Sequence, residues 1–311
     1  MVGVTGSLSA QRGADKQLLT EDAFQTASLD EIAKVAPPAI VYAAAGTRRS
    51  AALAGLASHS EAYVRWSREQ MISACKIIFD HGVHHIFTVL AAPGQFQEVG
   101  RYRQRLLDWI SWGVAGPEAL RDYRELGWRV RLLGGDDLPT LARVQEQLSA
   151  ATPAIAERTL WFMVIPDPEA PWRWILDAVW RSQARSRAEV VQALYGEELP
   201  LITLYFSFGK PIVAPYLLPP LLAGTVQCYW TQRPGYRLTE AEWRAILYDY
   251  AYLRATWRAD KTGRAETSIG QRDAWERGPT LGLGMRLGPF WYPRPWSGDS
   301  LVGHDGSHTS G

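Results

Sequence analysis

Cysteine is scarce in this chain. Its 311 residues contain two, Cys75 and Cys228, far apart and outside any metal-ligand spacing. That excludes a disulfide framework and a thiolate metal centre, and points to a reduced, cytosolic protein with buried thiols. An excess of one charge sign is also lacking: 33 Lys and Arg stand against 32 Asp and Glu, a net charge of +1. Bulk electrostatics therefore point neither to nucleic acid nor to an acidic membrane surface. No uninterrupted apolar run is long enough to span a bilayer and no N-terminal stretch resembles a signal peptide, so a soluble, cytoplasmic protein without an integral membrane segment is expected. No Ser/His/Asp set has the context of a nucleophile elbow, which argues against covalent hydrolytic catalysis.

Aromatic residues, by contrast, are plentiful: 14 Trp, 13 Tyr and 8 Phe, more surface of this kind than a core of this size usually takes. The length allows one large α/β domain or two smaller ones. Residues 1–16 are rich in Gly, Ser and Ala and read as a disordered lead-in, and 296–311 as a flexible tail. Between them, residues 17–295 show no repeat and no linker. A helix over Asp30–Val35 is stopped by Pro37 and Pro38, and a first strand, Ala39–Ala44, breaks at Gly46. Ala51–Ser60 reads as a small, flexible loop, and Glu61–Asp80 as a helix ended by His81 and Gly82. Strands at Ile86–Leu90, Arg129–Leu133, Leu160–Ile165 and Val226–Trp230, with an apolar run at Leu201–Phe208, alternate with helices at Tyr102–Trp112, Pro117–Leu126, Pro139–Ala150, Trp172–Arg185 and Ala188–Tyr195. A last helix opens at Thr239 with a capping box to Glu242 and runs to about Trp257. This alternation predicts a single α/β domain with a mostly parallel central sheet flanked by helices.

The stretch VYAAAGTRRSAA, Val41–Ala52, is the strongest functional signal. A strand ending in Gly-Thr-Arg-Arg brings backbone N–H groups and two guanidinium forks to one point, which suits a multiply charged oxyanion such as a diphosphate. A solvated loop is the competing reading. Asp80, His81, His84 and His85 crowd together, but they straddle a helix end where the dipole already favours His, so no metal site is assigned. Gly282, Gly284 and Gly288 lack strand-to-helix context and read as a turn rather than a phosphate loop. Asp136 and Asp137 read as the N-cap of the helix at Pro139.

The turn GTRR after a first strand, the block IIFDHGV before the second, and the segments LYGEELP and AILYDYAYLR together resemble the tuberculosinol synthase and tuberculosinyl adenosine transferase family. These are diterpene synthases on the cis-prenyltransferase (undecaprenyl diphosphate synthase-like) fold. The resemblance runs from about Ile32 to Tyr292, and the kolavelool synthases, which use this scaffold on a clerodane diphosphate, are a closely similar class. It implies that Gly46, Thr47, Arg48 and Arg49 cradle the diphosphate of an allylic isoprenoid. Tyr63 and Tyr102 match tyrosines implicated in the chemistry, with ordinary packing as the alternative for both. It also implies a homodimer, and a substrate supplied by a class II diterpene cyclase.

Two departures from the family pattern matter. Ala45 stands where the family has an aspartate tied to Mg²⁺ and diphosphate departure, which leaves Mg²⁺ a cofactor without its obvious ligand. Either the chain ionises its substrate with arginines and dipoles alone, or it is an engineered Asp-to-Ala variant that traps substrate; three alanines beside an intact GTRR favour the second. Phe206 and Ile212 stand where chain-elongating enzymes carry the arginines that hold isopentenyl diphosphate, leaving Lys210 as the nearby cation. The expected reaction is ionisation of a bicyclic C20 diphosphate of clerodane or halimane type and capture of the cation by water, giving a tertiary diterpene alcohol. Transfer to a nucleoside such as adenosine, chain elongation, and a non-catalytic scaffold subunit are the alternatives.

Overall fold

A computed structural model describes residues 19–58, 60–98, 101–135, 138–253 and 262–294, with the backbone alone at 101–104 and 264. The expected lead-in and tail lie outside these residues. Two short helices, α1 (Glu21–Thr26) and α2 (Leu29–Ala33), precede strand β1 (Ala39–Ala43). There follow α3 (Thr47–Leu53), α4 (Glu61–Asp80), β2 (His85–Ala91), α5 (Pro93–Phe96), α6 (Arg101–Ala115), α7 (Pro117–Glu125) and β3 (Arg129–Leu133). The chain continues through α8 (Pro139–Ala151), β4 (Thr159–Val164), α9 (Ala170–Ser182), α10 (Arg187–Tyr195), β5 (Ile202–Phe208) and β6 (Ala223–Thr231). Helix α11 (Glu240–Tyr248), a π-turn (Asp249–Leu253), α12 (Arg264–Ile269), α13 (Arg272–Arg277) and strands β7 (Gly284–Leu287) and β8 (Phe290–Pro293) complete it.

Six strands form one sheet in the order β3-β4-β2-β1-β5-β6, and every pairing is parallel. Both faces are covered, so the inner strands are apolar throughout: all five residues of β1 and all six of β4 are buried. Successive side chains alternate between the faces. Ile40 and Tyr42 join a core with α4, α6, α8 and α11, while Ala39, Val41 and Ala43 join a second core with α9 and α10. The chain leaves β1 toward β2 on one side and returns to place β5 on the other. That reversal makes the carboxyl ends of β1 and β5 the topological switch point, where open α/β sheets leave a crevice for ligands.

Several local expectations change. Residues 51–60 are not simply a loop, because Ser50-Ala51-Ala52-Leu53 favour helix and α3 starts directly after Gly46. The glycine string near the C-terminus builds the antiparallel β7–β8 hairpin; a Cβ on Gly284 would lie 1.9 Å from Trp291 Nε1, so only glycine fits that crossing. Leu138, not an aspartate, is the N-cap of α8, and Asp136 and Asp137 lie outside the described residues. Of the two thiols, Cys75 is buried and Cys228 only half-buried on the edge strand β6. The described part of the last long helix ends in the π-turn at Leu253. The Asp80–His85 cluster is structural: Asp80 pairs with Lys76 and Arg158, His81 Nδ1 meets Ile77 O at 2.7 Å, and His84 Nδ1 meets Glu157 O at 3.3 Å.

Candidate active site

A cavity of about 680 Å³ opens at the carboxyl ends of β1, β2 and β5 and extends between α4 and α6. Its volume lies within the range of small-molecule sites. The interior wall is apolar, with Val64 and Met71 from α4, Leu90 from β2, and Leu106, Ile110 and Val114 from α6. Trp109 of α6 also lines it, edge-on to Tyr63 at 6.2 Å between centroids.

The polar groups gather at the mouth. Gly46 has φ 76°, the left-handed region that glycine enters without penalty. A Cβ there would also lie 3.0 Å from both Phe208 and Pro234, so the residue that turns the chain from β1 into α3 must be this small. The Pro234-Gly235 turn fastens the same point from outside, Gly235 N donating to Ala45 O at 2.7 Å. Ala45, Gly46, Thr47, Arg48, Arg49 and Tyr63, distributed between the β1–α3 turn and α4, all line the cavity. Thr47 Oγ1 and Tyr63 Oη are 2.8 Å apart, which ties the turn to the first turn of α4. Tyr102 lies in the first turn of α6, and its side chain is outside the described residues.

The two arginines differ. Arg48 makes an ion pair with Glu98 at 3.3 Å, both groups partly open to solvent, a contact that an incoming anion can displace at little cost. Arg49 has its guanidinium between two rings, 4.7 Å from the centroid of Phe208 and 4.1 Å from that of Phe290. No carboxylate among the described residues pairs with it, and burial lowers its pKa, although an arginine stays charged throughout the physiological range. A third cavity-lining arginine, Arg68, is already neutralised by Glu118 at 3.0 Å and Asp122 at 3.7 Å. Arg49 is thus an exposed cation held between two rings at the rim of an apolar cavity, with no counter-charge among the described residues.

Phe208 and Phe290 carry no mark of function in the sequence, and Phe290 reaches the mouth only through the β7–β8 hairpin. Tyr236 also lines the cavity; the Pro-Gly turn before it is a local signal, but its partner at Ala45 is distant in the chain. Phe206 is buried and stacked on Tyr42 at 5.4 Å, and Ile212 is exposed, so neither contributes charge beside β5.

Mg²⁺ is usually held by one or two carboxylates together with substrate phosphates. Ala45 presents a methyl group here, Glu98 is engaged by Arg48, and no cluster of three His, Cys, Asp or Glu among the described residues could hold a metal ion. This donor set does not fit a carboxylate-anchored Mg²⁺.

No protein-family model matches the chain. It is 45% identical over 278 residues to (+)-kolavelool synthase of Herpetosiphon aurantiacus, covering 89% of this chain and 96% of that protein. It is 25% identical over 252 residues to tuberculosinyl adenosine transferase of Mycobacterium tuberculosis, covering 76% and 84%. Among solved structures, lavandulyl diphosphate synthase from Lavandula x intermedia, crystallised with dimethylallyl diphosphate, superposes with a TM-score of 0.55 at 15% identity, over 73% of this chain and 98% of that one. That likeness shows the cis-prenyltransferase fold.

Proposed function

The chain belongs to the family of diterpene synthases that includes (+)-kolavelool synthase and tuberculosinyl adenosine transferase, and from that premise we propose that it ionises a bicyclic C20 allylic diphosphate of clerodane or halimane type and captures the cation with water. The observation that carries this reading is Arg49, a guanidinium at the mouth of an apolar cavity with no ion-pair partner among the described residues. Arg48 and Arg49 hold the diphosphate, with Thr47 and Gly46 shaping the turn around it. The hydrocarbon rings lie against Val64, Met71, Leu106 and Ile110.

The allylic C–O bond breaks heterolytically, its electron pair passing to the bridging oxygen of diphosphate. Guanidinium groups already in place meet the charge that grows there, so no reorganisation is needed as the bond breaks. Aromatic faces such as Trp109 stabilise the allylic cation, and the apolar wall of the cavity limits the access of bulk water to it. One water adds at the tertiary carbon, and its surplus proton passes to a diphosphate oxygen. A phenol, with a reference pKa of about 10, is the weaker base. Tyr63, hydrogen-bonded to Thr47, is assigned to shaping this end of the cavity.

A bicyclic substrate requires an earlier cyclisation that leaves the diphosphate intact, the chemistry of a class II diterpene cyclase. The family resemblance supports a homodimer, to be tested by light scattering. No helix among the described residues is long and apolar enough to cross a membrane, which agrees with a cytoplasmic location. The test of function is mass-spectrometric product analysis after feeding geranylgeranyl, halimane, clerodane and labdane diphosphates to the protein and to its Ala45→Asp variant. A tertiary alcohol of kolavelool or tuberculosinol type is expected from a bicyclic substrate, unchanged by added adenosine. Absence of diphosphate release from every substrate overturns the reading, and an adenosine adduct moves it to nucleoside transfer.

A further inference from the structure

We propose that Tyr236 presents the quenching water to the carbocation, its phenol oxygen accepting a hydrogen bond from that water while its own O–H turns toward Thr88. The inference rests on the ionisation reading above and adds a residue to the same site. Among the described residues three tyrosines line the cavity: Tyr63, Tyr205 and Tyr236. Tyr63 is engaged with Thr47 at 2.8 Å, and Tyr205 interacts with the Ser207 hydroxyl, which itself donates to Ala43 O at 2.9 Å. Tyr236 is 8% exposed, and its hydroxyl has no normal hydrogen bond among the described residues.

A phenol oxygen that donates to one partner can still accept a further hydrogen bond, and the cavity that Tyr236 lines is where a water can offer it. Its ring is fixed edge-on against Tyr42, 5.7 Å between centroids at 77°, and Tyr42 is stacked in turn on Phe206. Its backbone follows Gly235, the residue bonded to Ala45 O. The backbone of Tyr236 is thereby anchored beside the turn that carries Arg48 and Arg49.

Thr88 completes the arrangement. It is fully buried on β2, and its Oγ1 has no hydrogen bond of normal geometry among the described residues. It is nevertheless close enough to interact with the Tyr236 phenol, an effect that partly offsets the rise in pKa caused by burial. Burial keeps the phenol protonated, so it positions the water and does not deprotonate it. In the step itself the water oxygen supplies the electron pair for the new C–O bond, and the resulting oxonium loses its proton to a diphosphate oxygen. Tyr236 undergoes no net change.

Without a positioned water the same cation loses a neighbouring proton and leaves as an alkene. Tyr236→Phe keeps the ring and its contact with Tyr42 while removing the hydroxyl. It should shift the alkene-to-alcohol ratio by about tenfold, the worth of one well-placed hydrogen bond. Thr88→Val, a positioning change, should shift the ratio in the same direction by a smaller factor, and it carries the test if Tyr236→Phe does not fold. The measurement is gas chromatography–mass spectrometry in ¹⁸O-water alongside a diphosphate-release assay. An unchanged ratio in the folded variant overturns the assignment. Diphosphate release by the parent protein without any alcohol also overturns it and leaves ionisation standing, whereas no release at all overturns the proposed function and this role with it.

Discussion

Strands β1 and β5 lie side by side in parallel, Ala43 opposite Ser207, and their carboxyl ends face the same crevice with different chemistry. After β1 come Arg48 and Arg49, both lining the cavity. After β5 comes Gly209, with buried Phe206 before it and Lys210 and exposed Ile212 beyond it. Phe208 from that strand serves the other side, placing its ring against Arg49. One strand end therefore supplies the cations and its neighbour supplies aromatic surface around them. This division suits a reaction with one diphosphate and no second charged substrate, because a second diphosphate beside Phe206 would lie unpaired in an apolar setting.

The contrast can be sharpened or broken by substitution. The largest effect is expected from Ala45→Asp, which gives the β1 end the carboxylate that Mg²⁺ requires alongside substrate phosphates. Diphosphate release should rise by about 10³-fold in the presence of Mg²⁺, in keeping with the several kcal/mol a metal Lewis acid supplies. Release that does not change would show that the arginines ionise the substrate unaided. Next, Arg49→Ala should lower kcat/KM by about 10²–10³-fold, the usual loss on removing a preorganised charge-stabilising group. Arg49→Lys should recover little, since the planar fork that sits between two rings is lost; steady-state kinetics on both variants checks this.

A charge placed at the β5 end tests the other half of the comparison. Phe206→Arg buries an unpaired cation in the stack with Tyr42 and should destabilise the fold by about 3 kcal/mol or more in urea unfolding. Ile212→Arg, at an exposed position, should change stability by less than about 0.5 kcal/mol. Neither should incorporate labelled isopentenyl diphosphate; incorporation by Ile212→Arg would show that the β5 end is a dormant second site. Among the changes at the diphosphate end the smallest effect is expected from Phe290→Ala, which removes one of the two rings on Arg49. A loss near 1 kcal/mol, about threefold to fivefold in KM, is the scale of one cation–π contact.

Some of this was legible along the chain because its causes are local. Helix α4 begins and ends where Ser60, His81 and Gly82 mark it, and β3 occupies the predicted residues. The break at Gly46 and the adjacency of Arg48 and Arg49 needed no tertiary information either. What followed the break was misread, because small residues suit both a loop and a short helix, and the packing of Ser50 and Ala51 decided for the helix. The glycine string was read as a turn because strands β7 and β8 support each other only by pairing.

The sequence by itself determined that a strand ends in two neighbouring arginines, that the central sheet is mostly parallel, and that no arginine pair directly follows β5. Those follow from composition, short-range pattern and the chirality of βαβ connections. Only the tertiary structure decided which arginine lacks a counter-charge among the described residues, since that depends on Glu98 reaching Arg48, on Glu118 and Asp122 reaching Arg68, and on none of the described acids reaching Arg49. It also decided that Phe208 and Phe290 meet at Arg49 and that Phe290 and Tyr236 line one cavity. Their convergence depends on contacts between distant segments, and no spacing along the chain encodes a distance across a cavity.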